Sequence, residues 1–371
     1  MSNEIVYLDH AATSPVAPSI AEGLARDLVE LGWNTGTRYT LGLTARKALD
    51  GCRAEMAQRL GCAAEALVFT SGGTESNNLG LHICCHQFPQ GGVLWNSATT
   101  HPSLSGPVGA LDPTWQIIPM PLMAWGAIDV TQLQLLPPPD VVVLEWVNNE
   151  AGFVQPVDAV ADAALALNPK ACVLADGAQG VGKLPLPNLA STAAFSLAGH
   201  KIGAPVGTGA LVLKPSLKQA PLTLGGGQER GWRPGTVALP LIRAFCSALQ
   251  QMTSHEAHAF AFDHFDDDEV PLPIRHPDGL YSPCITVLNV APVEGEVLQH
   301  HMEEKGIYLG TGSACSASRK GLSPIHKALG MDARQSRCTV RWSTIPGQDR
   351  DELERAWREL VLCWRELKRF F

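Results

Sequence analysis

The sequence predicts an α/β protein, a largely parallel sheet packed between helices and followed by a smaller α+β unit. Two observations carry this. Short apolar runs bounded by Gly, Asp or Asn alternate with segments of helical periodicity. The chain then changes character after the acidic stretch Asp266-Asp267-Asp268-Glu269. With 371 residues, 45% apolar and 17% charged, the chain can bury a large core and suits two or three domains.

Taken in order, Pro18 precedes Ile20, Leu24, Leu28 and Leu31, one face of a helix over 18–31. Ala45, Leu49, Cys52, Met56 and Leu60 repeat the pattern over 44–60. Apolar runs at 67–70, 93–96, 141–145, 172–176, 193–197 and 209–213 read as buried strands, because strands covered on both faces lose the polar alternation. The acidic stretch and Pro271-Leu272-Pro273 mark a surface connection. Beyond it, 284–290 reads as a strand, and 294–305 and 350–370 as helices. No internal repeat is present.

Composition narrows function. Lys plus Arg is 28 and Asp plus Glu is 36, a net charge of −8, which argues against nucleic acid bound through a basic surface but not against a small anion. No run approaches the ~20 apolar residues of a membrane helix. Met1-Ser2-Asn3-Glu4 has neither a basic nor an apolar leader region, and the ten cysteines show no CxxC pattern. The expectation is a cytoplasmic protein with reduced thiols, no signal peptide and no membrane partner.

Four segments can carry chemistry. Thr70-Ser71-Gly72-Gly73-Thr74-Glu75-Ser76-Asn77-Asn78 follows a strand and opens a helix, where free N–H groups and hydroxyls make a phosphate cradle or an ordinary capped turn. Gly177 through Lys183 nearly spells a nucleotide P-loop but has Leu184 where magnesium needs a hydroxyl. That shifts interest to Asp176, an acid ending an apolar strand, able to hold a protonated ring nitrogen or to cap a loop. Lys201, in Gly199-His200-Lys201, follows a buried strand among small residues. Desolvation there lowers a lysine pKa and suits Schiff-base chemistry. Cradle, aspartate and lysine together describe a pyridoxal phosphate site. Finally, Cys315 lies in the small-residue stretch Thr311-Gly312-Ser313-Ala314-Cys315-Ser316, near Arg319 and Lys320, which favour a thiolate. A buried turn cysteine is the alternative. His82 and His86, four apart, and His255-Glu256-Ala257-His258 could suggest metal, but packing is the preferred reading of each, and no metal site is expected.

The chain resembles the cysteine desulfurases, class V, fold-type I pyridoxal phosphate enzymes. The matching stretches are Tyr7–Pro15, Thr70–Asn78, Val147-Asn148-Asn149-Glu150-Ala151-Gly152, Asp176–Lys183, Gly199–Lys201, Gly225–Thr236 and Gly312–Cys315. They run in order over nearly the whole chain. The distance from Cys315 to Ala328-Leu329-Gly330 is similar to the long-loop iron–sulfur-cluster and nitrogen-fixation branch. The resemblance implies a large domain over 16–244 with a mostly parallel seven-stranded sheet sandwiched by helices. The small α+β domain would comprise 1–15 and 245–371 and carry the cysteine loop.

It also implies roles. Lys201 would hold pyridoxal 5'-phosphate and move a proton, Asp176 would pair with the ring nitrogen, Gln179 with the ring oxygen, and His101 would stack on the ring. Gly73, Thr74 and His200 would hold the phosphate, with Thr236 reaching it from the second subunit of a homodimer. Asn148 would contact the cofactor and, with Arg341, bind the substrate carboxylate, for which a guanidinium fork is suited. Cys315 would take sulfur from L-cysteine as a persulfide, leaving L-alanine, and pass it to an acceptor protein such as an iron–sulfur scaffold. A selenocysteine lyase or another class V aminotransferase or lyase is the alternative within enzymes. A non-catalytic sulfur-relay protein is the alternative outside them, against which the intact Lys201, Asp176, His101 and Arg341 argue. Three departures stand out. Ala198 replaces a usual serine, and Asn34-Thr35-Gly36-Thr37-Arg38-Tyr39 replaces the usual Asn-Pro-Ser-Ser-x-His stretch. The sequence ends at Arg369-Phe370-Phe371, where long-loop members continue with a scaffold-docking tail, so the expected acceptor is non-standard or docks differently.

Overall fold

In this computed structural model the described residues are 5–253, 256–262, 269–311 and 322–371. Cys315, His255 and Asp266–Asp268 lie outside them.

Seven strands form the larger sheet, in the order Leu67–Thr70, Gly209–Leu213, Ala194–Ala198, Cys172–Asp176, Val141–Glu145, Gly92–Asn96 and Trp115–Pro119. Gly209–Leu213 runs against both its neighbours and the other pairings are parallel, as expected for a mostly parallel sheet. The central strands are buried throughout because both faces are covered. Val141, Val143, Cys172 and Leu174 pack under the helices Gly73–His86 and Pro102–Gly109. Val142, Leu144, Val173 and Ala175 face the opposite core with Phe195, Trp95 and Phe245. The edge strand Trp115–Pro119, which the sequence pattern did not mark, is half-exposed, so its residues are not uniformly apolar.

The expected helices occupy Pro18–Glu30 and Thr40–Leu60. The second ends on Gly61 at φ 64°, a left-handed C-terminal residue that glycine adopts without penalty. The helix Leu239–Thr253 packs on both of them. Its residues Phe245, Cys246, Leu249 and Met252 belong to the larger core, so the expected division at 244/245 falls inside a helix. A cut there would part five buried side chains, Phe245, Cys246, Ala248, Leu249 and Met252, from the core they pack in.

The smaller sheet has five strands, in the order Val6–Leu8, Ile307–Thr311, Thr339–Ser343, Ile285–Asn289 and Leu272–Pro273. It packs with the helices Gly295–Glu304 and Arg350–Lys368 around Trp342, Trp357 and Trp364. The Val6–Leu8 strand thus places the start of the described chain in this unit, and residues 9–14 lead from it to the larger one, where the Ala11 and Ala12 carbonyls meet Gln179 and Lys201. No helix among the described residues is long and apolar enough to cross a membrane.

Candidate active site

The strands ending at Glu145, Asp176 and Ala198 bring their carboxyl ends to one edge of the larger sheet. Ligands bind at that edge in open parallel sheets. A cavity of about 380 Å³ opens there. Its wall includes Gly73, Thr74, His101, Asp176, Gln179, His200 and Lys201, seven residues from distant parts of the sequence.

The cradle forms where the helix Gly73–His86 begins. Gly72 precedes it at φ 157° and no side chain caps the helix end. The first-turn N–H groups of such a helix have no acceptor within it and point at whatever lies beyond. A Cβ on Gly209 would meet the Cα of Gly72 at 2.6 Å, and one on Gly73 would meet the Ala198 Cβ at 3.0 Å. The backbone therefore packs at glycine distance around the cradle, against the methyl group of Ala198.

Asp176 is 7% exposed and fully engaged. Its Oδ2 accepts from Asn77 Nδ2 at 2.8 Å, and its Oδ1 accepts from the Ala178 N–H at 2.9 Å and the Ser196 hydroxyl at 3.2 Å. Asn77 also donates to Ser103 Oγ at 2.8 Å, tying the aspartate to the segment that carries His101. His101 Nδ1 accepts from the Ser103 N–H at 3.1 Å, in the tautomer that this contact requires. Burial pushes its imidazole pKa down, the Asp176 charge opposes this, and Lys201 adds to it. His200 falls further, to about 4, chiefly by burial and then through the Lys201, His101 and Lys183 charges. Both imidazoles are thereby kept neutral near pH 7.

Lys201 is half-buried, and its Nζ donates to the carbonyls of Ala11 and Ala12, both at 2.7 Å. The turn after the first strand thus holds the amine at the rim of the cavity. Gln179 is buried, with Nε2 donating to Ala11 O at 2.8 Å and Oε1 accepting from Lys183 Nζ at 3.4 Å. Lys183, the end of the near-P-loop, is thus a buried lysine whose pKa burial lowers, not a phosphate ligand on an exposed loop.

The structure corrects the expectation for Asn148. That side chain is fully buried and is not part of the cavity wall. Its Oδ1 accepts from the N–H groups of Glu150 at 3.0 Å and Ala151 at 2.8 Å, and its Nδ2 donates to Thr99 O at 3.2 Å. It shapes the turn, and Asn149 lines the cavity in its place. Arg341 is 4% exposed and lies just behind Asn149. Its Nη1 donates to Asn149 O at 2.8 Å, and its Nη2 pairs with Asp9 Oδ1 at 2.7 Å. Its Nε is buried without a partner. Thr236 is exposed and outside this cavity's wall.

Both flanks of the segment holding Cys315 approach this region. Gly310 is paired with Arg341 across the smaller sheet, and the Ser323 hydroxyl donates to Glu150 Oε2 at 2.7 Å. The His82 and His86 rings lie 6.4 Å apart. Among the described residues no group of three or more His, Cys, Asp or Glu side chains gathers as for a metal.

Three side chains at the site carry no individual role in the sequence pattern: Asn149, Asn77 and Glu145. Glu145 had a signal, since it is an acid ending an apolar strand as Asp176 is. The donor set fits pyridoxal phosphate. An uncapped helix start against glycine backbone, a carboxylate held by three donors and an amine share one cavity wall.

Comparison with known proteins agrees. The family model for class-V aminotransferases matches residues 6–356. An IscS-like cysteine desulfurase of Mycobacterium tuberculosis is 30% identical over 382 residues, covering 91% of each chain. A solved NifS-like protein superposes with a TM-score of 0.84 at 23% identity, over 99% of this chain and 100% of its own. A second structure, described as SspA in complex with cysteine, has a TM-score of 0.79 at 25% identity, over 92% and 99%.

Proposed function

The chain belongs to the class-V aminotransferase family, among the cysteine desulfurases, and on that premise we propose that it converts L-cysteine to L-alanine and passes the sulfur to Cys315 as a persulfide. The observation that carries this is the one cavity wall shared by Lys201, Asp176, His101 and the uncapped helix start. The neighbour solved with cysteine supports the substrate. In the balance, the substrate Cβ–S bond breaks and a Cys315 S–S bond forms. The proton of one thiol goes to Cβ, so no outside oxidant is needed.

Pyridoxal 5'-phosphate, when bound, supplies an electron sink that loosens the bonds at the substrate Cα and Cβ. The protein's part is to hold and to move protons. Asp176 holds the ring nitrogen, its carboxylate fixed by Asn77, Ala178 and Ser196. Gly73, Thr74 and the neutral His200 hold the phosphate at the helix start, where fixed N–H dipoles favour an anion. Lys201 exchanges its carbonyl partners for the cofactor and moves the proton at the substrate Cα. His101, neutral because buried, is suited to take and return a proton. Gln179 keeps a second amide proton for the ring oxygen. Asn149 and Arg341 bind the substrate carboxylate, Arg341 with its free Nε and with Asp9 competing for the same fork.

Thr236, exposed and outside its own cavity, is read as serving the partner's site in a homodimer. The acceptor is read as a protein of iron–sulfur or other thio-cofactor synthesis. A reducing, cytoplasmic setting is supported by nine free cysteines among the described residues. The test is release of sulfide and alanine from L-cysteine by purified protein with reductant, beside Cys315→Ala and Lys201→Ala. Equal product amounts, lost in both variants, are expected. A yellow, cofactor-loaded protein that releases neither product would overturn the reading.

A further inference from the structure

We propose that Cys52 and Cys246 form a redox-active dithiol, which hydrogen peroxide closes to a disulfide joining the helices Thr40–Leu60 and Leu239–Thr253. Neither residue belongs to the wall of the cofactor cavity, so the site is separate from the one already described. The two helices pack on each other, and each brings one cysteine to the seam between them. The Cys246 thiol donates to the Cys52 carbonyl at 3.4 Å, and the two thiols hydrogen-bond each other. Thiols already in contact need little movement to reach the ~2 Å of a disulfide bond.

The two sulfurs differ in access and in acidity. Cys52 is half-buried, whereas Cys246 is 5% exposed and packs in the larger core. The hydrogen bond from Cys246 pulls the Cys52 pKa down against burial, with the Arg243 guanidinium helping and the Glu55 and Asp27 carboxylates opposing. Arg243 stands three residues before Cys246 and pairs with Asp27 at 2.9 Å. The same thiol contact, then burial, pushes Cys246 up. An accessible, more acidic thiol beside a buried, less acidic one is the arrangement of an attacking and a resolving cysteine. Cys84 and Cys172 are also hydrogen-bonded to each other, but both are buried, Cys84 wholly, so an oxidant lacks the entry that Cys52 offers. In the reaction the Cys52 thiolate attacks one peroxide oxygen, the O–O bond breaks, and hydroxide leaves as water with the Cys52 proton. Cys246 then attacks the sulfur of the resulting sulfenic acid, the S–O bond breaks, and a second water leaves with the Cys246 proton. Two electrons pass from the thiols to the peroxide. Cys52 adjoins Arg53, which holds Glu229, and Leu239–Thr253 follows that loop, so the bond would fasten both anchors of the segment carrying Thr236.

The experiment is peptide mapping of the folded full chain after graded hydrogen peroxide, with remaining thiols alkylated before digestion, for the parent, C52S and C246S. Thermal unfolding of each reduced protein runs alongside. The parent is expected to give the Cys52–Cys246 cross-linked peptides in the majority of chains, at a lower peroxide dose than any Cys84–Cys172 bridge, and dithiothreitol should restore both thiols. C246S should leave Cys52 trapped by dimedone as a sulfenic acid, and C52S should leave Cys246 alkylatable. The proposal is overturned if the parent returns both cysteines as free thiols at every dose that leaves it folded. It is equally overturned if the bridge forms only in urea, or if Cys84–Cys172 closes as readily. Where a variant does not fold, the map of the parent decides alone.

Discussion

Replacing Glu229 tests how the loop carrying Thr236 is held. Glu229 and Arg230 adopt φ 47° and 56°, left-handed values that ordinary residues hold only when their surroundings enforce them. The enforcement is a buried clamp. Glu229, 5% exposed, accepts from Arg53 Nη1 at 2.9 Å, Arg53 Nη2 at 2.6 Å and the Phe69 N–H at 2.8 Å. Glu229→Ala strands the Arg53 guanidinium, itself 7% exposed. Removing one partner of a buried pair costs about 3–5 kcal/mol. Arg53 keeps the Leu67 carbonyl at 2.6 Å and the Phe69 ring at 4.8 Å, so the lower end, about 3 kcal/mol, is expected. Glu229→Gln retains an acceptor and should lose about 1.5–3 kcal/mol, the worth of a charge-assisted bond. The assay is urea unfolding followed by tryptophan fluorescence, run as a double-mutant cycle with Arg53→Leu and Glu229→Leu. The double variant should lose less than the sum of its singles by at least about 1 kcal/mol, because no buried charge is left alone. A Glu229→Ala loss below about 1 kcal/mol, or strictly additive singles, refutes the clamp.

Further predictions concern the cradle, the asparagine pair and acid stability. Gly209→Ala should weaken cofactor binding by about 1–3 kcal/mol in an absorbance titration, since its Cβ would sit 2.6 Å from Gly72 backbone that cannot swing aside. Asn149→Ala should raise the KM for L-cysteine with little change in unfolding, whereas Asn148→Ala, leaving buried N–H groups without an acceptor, should lower stability by about 1–3 kcal/mol. His10 is pushed to about 3 by burial and then by the Lys183 charge, against a backbone hydrogen bond at Tyr7. The unfolded chain therefore binds a proton between pH ~6.5 and 3 that the folded chain refuses. Stability attributable to His10 is full above that window and falls with pH inside it, by up to ~1.4 kcal/mol per unit, and His10→Asn should flatten that acid limb in pH-dependent urea melts.

What the sequence made legible follows from what each element depends on locally. The runs Val141–Glu145 and Cys172–Asp176 could be read as strands because both faces are buried and every position is apolar until the last. Thr339–Ser343 could not, since it places Arg341 in the middle of a buried strand. That is tolerable because Asp9, more than three hundred residues away, and the Asn149 carbonyl meet it. The same distinction runs through the site. The glycine cradle, the strand-end aspartate and the lysine after a buried strand each carry a local oddity, and the fold brings all three to one cavity. Asn148 and Asn149 carry none that separates them. The backbone turn at Gly152, φ 76°, and the bonds from Glu150 and Ala151 decide which amide faces the cavity. Glu145 shows the limit most clearly. Its position after an apolar run was as visible as that of Asp176. Its meaning depends on the strand register that sets the two side by side, and on one oxygen being left without a partner. Register is a property of paired strands, so which acids share one wall is decided only once their neighbours are known.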